Sequence, residues 1–299
     1  MTQPEVSLVM AVWNPRLDWL QAAVASALDQ SGVESELLVV DDGNDPPVAD
    51  LLSDIDNPRL RIERVPHGGA ARARNAGIAL ARGRYVRIVD CDDVFPRDST
   101  ARLLELMSGR GDLITYGASM MCDAELRPLW KMSTAQQGDV ASDCVRGRFY
   151  ARPGGVLFPR ALLELEPFDP SHGVSDDWEQ MQRALEHAHA RGTRATAHLY
   201  RRHGGGLTAA IEDGREDAQR IVEAYFERHP SKRGTRLERQ ALAMLDATAA
   251  RVYATHGQPR KALIHLLRGV RRDPLCVRHD LKQACNLMVG RVAHRPGRF

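Results

Sequence analysis

Tyr85-Val86-Arg87-Ile88-Val89-Asp90-Cys91-Asp92-Asp93 is a mostly apolar, strand-favouring run that ends abruptly in acid. Leu37-Leu38-Val39-Val40-Asp41-Asp42-Gly43 has the same form. Short runs rich in Val, Ile and Leu read as strands buried on both faces, the habit of a parallel sheet covered by helices. In such a sheet ligands bind in the crevice beyond the carboxyl ends of the strands. Both acid groups therefore point at one crevice.

The flanking sequence alternates strand with helix. Residues 6–13, 36–40, 60–65, 85–89 and 113–116 read as strands, and 18–30, 70–81 and 97–107 as helices. This order predicts an α/β fold with a mainly parallel, Rossmann-like sheet flanked by helices. Residues 138–160 mix Gly, Pro and aromatics and are expected to form loops and edge strands around a pocket. Residues 175–191 read as a helix and 195–200 as a strand. Beyond residue 210 the pattern is helical throughout, with 237–256 and 259–271 as an antiparallel pair joined at Gly257 and Pro259 near the second start. Ala243, Ala250, Tyr253, Gly257, Ala262, Leu266 and Pro274 follow the pattern of one tetratricopeptide-like hairpin. The expected division is a sheet domain over 1–210 and an all-helical appendage over 211–299.

Composition sets the outer bounds. The 299 residues are 43% hydrophobic and 27% charged, which excludes a disordered or collagen-like chain. The longest apolar run, 8–13, is far short of the ~20 residues that cross a bilayer. Thr2-Gln3-Pro4-Glu5 gives no basic, apolar secretory start. Five cysteines, at 91, 122, 144, 276 and 285, form no CxxC pair and are odd in number. A zinc ribbon and a disulfide framework are thus disfavoured, and a cytoplasmic protein is expected. From Arg260 onward ten Lys or Arg face two acids, a local balance of +8 in a chain of net +2. That tail suits a peripheral contact with an anionic membrane face; a solvated helical face is the competing reading.

Four or more carboxylates in one crevice repel one another unless a cation sits among them. Oxygen donors suit Mn²⁺ or Mg²⁺, which typically join carboxylates to substrate phosphates. Asp41-Asp42-Gly43 also fits a turn, whereas three acids in the four positions 90–93 exceed what a helix start needs. Between the two groups lies His67-Gly68-Gly69-Ala70-Ala71-Arg72-Ala73-Arg74-Asn75-Ala76-Gly77, whose glycines permit close backbone approach and whose arginines suit phosphate. It is neither GxGxxG nor a P-loop with Lys. An amphipathic helix with a solvated arginine face is its other reading.

These pieces resemble glycosyltransferase family 2, enzymes of the GT-A fold that use nucleotide-diphosphate sugars. The residues that carry the likeness are Ser7 to Asn14, Val39-Val40-Asp41-Asp42-Gly43, Ala73-Arg74-Asn75-Ala76-Gly77, the DXD-like Asp90-Cys91-Asp92-Asp93 with Pro96, and Ser175-Asp176-Asp177-Trp178-Glu179. The likeness spans about residues 5–210. Trp13, Asn44 and His67 depart from the usual Tyr, Ser and Asn.

The resemblance implies a hexosyl-type transferase. Ala11, Asn14, Asp41, Asp42, Arg74, Asn75, Asp90, Asp93 and Arg202 would meet the nucleotide sugar. Asp92 would hold the metal, with His203 beside it, and Asp177 would be the catalytic base. Asp176 and Glu179 also fit a capping pair at a helix start, and Gly204-Gly205-Gly206 would let Arg202 or His203 close over the diphosphate. A UDP-sugar donor, a glycan or small-molecule acceptor and inversion at the transferred carbon follow as expectations. Nucleic acid is not expected as a partner, and a homo-oligomer remains open. A catalytically silent relative serving as a scaffold, and a nucleotidyltransferase, are the alternatives.

Overall fold

β1 (Val6–Val12), β2 (Ser35–Asp41) and β4 (Tyr85–Asp90) are almost wholly buried, which is why their sequences lack the alternation of a half-exposed strand. The computed structural model describes residues 3–134, 136–173, 175–203 and 211–275, with side chains from 215 onward in the last segment. The described residues form two compact units. The first holds those up to 141 with 150–172 and 176–203; the second holds 142–149, 173, 175 and 211–275. The expected boundary at 210 lies outside the described residues.

In the first unit, β3 (Leu60–Arg64), β2, β1 and β4 run parallel in that order. Helices α1 (Leu17–Leu28), α2 (Val48–Leu51) and α3 (Ala70–Leu80) connect them, and α4 (Ser99–Met107) follows β4. Gly77 lets α3 lie on the sheet, since a Cβ there would meet Val9 Cγ1 at 2.3 Å. The parallel half matches expectation.

The remaining strands match in part: those expected over 113–116 and 195–200 are present but longer. The strand expected over 113–116 is β5, Leu113–Cys122, and it pairs with three neighbours. One is β6 (Pro128–Met132). After α5 (Ala141–Val145), β7 (Val156–Pro159) and α6 (Arg160–Leu165) follow. β7 is not an edge strand: it lies antiparallel between β4 and β5. The helix expected over 175–191 stops early as α7 (Asp176–Ala184), and β8 (His189–Arg201) takes up the chain. Parallel pairing of His189 through Arg201 with β5 overrides the local helical pattern. His187 therefore leaves the helix and lies 3.0 Å from Glu166.

Arg87 crosses the interior as a polar pillar. Fully buried, it donates to the carbonyls of Gly154 and Ala197 and to the hydroxyls of Ser99 and Thr100. Burial pulls its guanidinium down to about 9, with Arg102 adding to the effect.

The second unit contains α8 (Ile211–Arg228), α9 (Arg236–Thr255) and α10 (Pro259–Arg272). α9 and α10 form the expected hairpin, turned at Gly257, whose φ of +70° favours glycine. Ala249, Tyr253 and Ala262 pack at its tip, and His265 stacks on Tyr253. Asp246 is held between His265 at 2.8 Å and Arg272 at 2.7 Å. No helix among the described residues is long and apolar enough to cross a membrane. Cys276, Cys285, Gly204-Gly205-Gly206 and the tail beyond 275 lie outside the described residues.

Candidate active site

The parallel register places Ala11 opposite both Val40 and Asp90, and Val12 opposite Asp41. The first two acid-bearing strand ends thus flank β1. Asp41 is buried and accepts from Asn44 N at 2.8 Å, Asn44 Nδ2 at 2.6 Å and Val48 N at 2.9 Å. Burial works to raise this carboxyl, but those donors outweigh it and hold it below its usual range. Asn44 also takes the N–H of Asn14, whose φ is +45°, and donates to Val12 O. The Asn that departs from the family's Ser therefore ties the β1 end to the β2 end.

Asp42 accepts the N–H groups of Gly68 at 2.8 Å and Gly69 at 3.0 Å, and so fixes the turn before α3. Gly43 has φ +80°, and a Cβ on it would meet His67 N at 2.9 Å. His67 stacks on Trp13 with ring centres 3.8 Å apart. Trp13 is 52% exposed and presents an aromatic face beside Asn14 at the end of β1.

Arg74 joins the two remaining acid groups. Nearly buried on α3, it donates to Asp176 Oδ2 at 2.6 Å and to Asp90 Oδ1 at 3.2 Å, with its guanidinium over Phe168. Burial opposes its charge, but Asp176, Asp90 and Asp177 outweigh that and raise its pKa. The capping role expected of Asp176 is corrected: its carboxylate faces Arg74, and Glu179 pairs with Arg183 at 2.5 Å. A charged partner outcompetes the helix N–H groups for the buried oxygen. Asp177 is half-exposed beside it and accepts the Tyr150 hydroxyl at 2.5 Å.

Beyond β4, Asp92 Oδ2 lies 2.8 Å from His203 Nε2. Burial first, then the charge of Asp90, pushes the Asp92 carboxyl up. Asp93 is fully buried; it accepts Arg201 N at 2.9 Å and faces His198 Nε2 at 3.6 Å. Burial and the charges of Asp90 and Asp92 raise Asp93, while burial and Arg87 lower His198. Arg202 covers Trp130 with its guanidinium 5.0 Å from the ring centre.

The donor chemistry supplies two protein ligands for a divalent ion. Among the described residues no three His, Cys, Asp or Glu side chains converge to hold one. Asp92 and His203 offer one carboxylate and one imidazole in contact, beside an excess of negative charge that a cation would relieve. Mg²⁺ and Mn²⁺ sites commonly need no more protein than that, because substrate phosphates complete them.

The chain thus brings Ala11, Asn14, Arg74, Asp90, Asp92, Asp177, Arg202 and His203 to the carboxyl edge of one sheet or to the elements Arg74 ties to it. Two of the expected contact residues have protein partners. Asn75 exchanges both amide bonds with the Phe168 backbone, at 2.8 and 2.9 Å, and is consumed there. Asp93 lies inside and accepts the N–H of Arg201. Asp41 and Asp42 hold loops, and their carboxylates are already bonded to backbone.

Sequence reasoning missed Tyr150 and Arg152. Arg152 lies over the Tyr200 ring at 4.0 Å, and its Nε is buried with no hydrogen-bond partner among the described residues. Burial opposes its charge, but Tyr150, Tyr200, Asp177 and Asp93 raise its pKa. Tyr150-Ala151-Arg152-Pro153 matches no motif, and only the internal position of β7 brings it to the site.

The sequence model of glycosyl transferase family 2 matches residues 7–173, more than half of the chain. The chain belongs to that family and is a glycosyltransferase. It is 27% identical over 295 residues to the succinoglycan biosynthesis protein ExoO of Rhizobium meliloti (strain 1021), covering 92% of this chain and 84% of that one. It is 31% identical over 147 residues to the putative teichuronic acid biosynthesis glycosyltransferase TuaG of Bacillus subtilis (strain 168), covering 48% of this chain and 58% of TuaG. Its fold is similar to that of S. aureus TarS 1–349, with a TM-score of 0.62 at 15% identity over 96% of this chain and 91% of that one. TarS in complex with UDP-GlcNAc gives a TM-score of 0.59 at 14% identity, over 90% and 92%.

Proposed function

We propose that the enzyme moves a sugar from a nucleotide-diphosphate donor, a UDP-sugar first among them, to an acceptor hydroxyl with inversion. The observation that carries this is the Asp90–Arg74–Asp176 bridge, which fixes the half-exposed Asp177 beside the acid group at the end of β4. Trp13 is placed to stack on the base, and Ala11 and Asn14 to line the nucleotide pocket. Asp177 takes the proton of the acceptor hydroxyl as that oxygen attacks the anomeric carbon. The reaction needs no protein nucleophile.

Asp92 and His203 would hold Mn²⁺ or Mg²⁺, which supplies stabilisation of the charge growing on the departing diphosphate. Arg202 and Arg152 add cationic charge near that end. Calorimetry with UDP and with GDP, each with and without Mn²⁺, tests the reading. Asp92→Ala is expected to weaken Mn²⁺-dependent UDP binding by about 10–100-fold. Metal-independent binding in the unaltered enzyme would overturn this role of Asp92.

Tyr150 is assigned to orient Asp177. Tyr150→Phe removes one hydrogen bond to a charged group, worth about 1.5–3 kcal/mol, so kcat is expected to fall by about 10–150-fold with the donor KM unchanged. Burial, then the Asp177 charge, lifts the Tyr150 phenol well above its ordinary range. A raised phenol stays protonated as the pH rises, so it keeps donating and kcat is expected to show no alkaline loss from Tyr150 up to about pH 10. A loss that vanishes in Tyr150→Phe would contradict this.

The acceptor is proposed to be a hydroxyl of a glycan or small molecule. The two-part organisation is read as a catalytic domain over 1–210 and a helical region over 211–299. The basic C-terminal end is proposed to hold a cytoplasmic enzyme against an anionic membrane face.

A further inference from the structure

α10 has an unusual outer surface. Leu263, Ile264 and Leu267 are 47%, 50% and 52% exposed. The inner face, Ala262, His265, Leu266 and Gly269, is buried. Every other exposed residue of the helix after Pro259 is a cation: Arg260, Lys261, Arg268, Arg271 and Arg272. No acid occurs from Pro259 to Arg272.

Leu263 and Leu267 are one turn apart with Ile264 beside them, so the three form a short apolar ridge on the helix, while Val270 packs inward against Ala243 and Ala247. Arg272 is tied to Asp246, and Lys261 rests over the Tyr253 ring. Arg260, Arg268 and Arg271 form no ion pair among the described residues. Arg268 and Arg272 also line, with Arg215 of α8, a cavity of about 300 Å³ whose wall includes the carboxylates of Glu223 and Asp246.

From this we infer that the outer face of α10 is the surface that lies on an anionic bilayer. The inference rests on the membrane reading above and narrows it from the whole basic end to one helix. A solvated face would carry acids among its cations and would not expose three large apolar side chains in reach of one another. A protein partner of ordinary composition would bring carboxylates to only part of this arc and leave the leucines to be matched separately. An anionic lipid surface satisfies both features at once: leucines enter the headgroup–acyl boundary while arginines meet phosphate.

The test is co-sedimentation of the full chain with vesicles of phosphatidylcholine alone and of phosphatidylcholine with phosphatidylglycerol. Binding is expected only to the second, and is expected to weaken with salt. Leu263→Glu/Leu267→Glu and Arg260→Gln/Arg268→Gln/Arg271→Gln should each lower partitioning by about 10-fold or more. UDP binding and far-UV circular dichroism should stay unchanged in both.

No binding of the unaltered chain to anionic vesicles would overturn both this inference and the membrane reading, and intact UDP binding would leave the glycosyltransferase reading standing. Variants that bind as well as the unaltered chain, while Arg291→Gln/Arg295→Gln/Arg298→Gln releases it, would overturn only the assignment to α10. A dimer that the leucine variants dissociate, with vesicle binding unaffected, would give the face to a second copy and overturn the inference as well.

Discussion

Asp177→Asn is expected to lower kcat by about 10²–10⁴-fold, the contribution of a positioned general base, while UDP binding changes less than about twofold. The two readouts separate because of where Asp177 sits. Its Oδ2 takes the Tyr150 hydroxyl and its Oδ1 the N–H of Trp178, and neither bond reaches the ends of β1 or β2. The group that anchors α7 to β4 is its neighbour Asp176, through Arg74. An amide at 177 can keep a hydrogen bond to Tyr150, so the helix start has little reason to move. What it loses is the capacity to accept the acceptor's proton. Initial rates of transfer across acceptor concentrations, with UDP titrated calorimetrically in parallel, check both halves. Full turnover in Asp177→Asn would remove the assignment of the base.

The strand ends were legible because burial on both faces leaves a continuous apolar run, and a run that stops at Asp41 or Asp90 marks its own boundary. Parallel order followed from the spacing of helices between such runs. The second half of the sheet was hidden for the opposite reason. Residues 156–159 are only four long and carry Pro at the end, so nothing local distinguishes an interior strand from a loop. Similarly, 185–191 continue an Ala-rich helical pattern, and only pairing with β5, distant in sequence, ends the helix at Ala184.

In the site, motifs located the acids but not their partners. Asp176 looked like a cap because Glu179 follows at the right spacing, yet the pairing with Arg74 spans 102 positions and has no local signature. Asn75 belonged to a family string, but its side chain serves Phe168. Tyr150 and Arg152 carry no motif at all. Local chemistry thus identified which groups are charged, and topology decided whether each charge meets substrate or protein.

Arg74→Met should be the most damaging single change to the stability of the first unit. It keeps most of the buried stem and deletes the cation shared by Asp176 and Asp90. Breaking a buried ion pair by removing one partner costs about 3–5 kcal/mol, because the remaining charge is left without compensation. Asp176 already has its carboxyl pushed up by burial, with Arg74 pulling it back down and Asp177 adding to the rise. Without Arg74 the rise is unopposed by that guanidinium, and the proton is bound more tightly in the folded than in the unfolded chain. A folded pKa above the unfolded one means stability present at low pH and lost as pH rises. The deficit relative to the unaltered enzyme is therefore expected to be smaller at pH 5 than at pH 8, as urea denaturation at each pH would measure. Arg74→Met/Asp176→Asn removes the more buried of the two orphaned charges and should recover about 0.5–3 kcal/mol of the loss through the coupling of the two sites. A double variant no more stable than Arg74→Met at pH 8 would show that Arg74 acts through its packing on Phe168 and not as the bridge between the two acid groups.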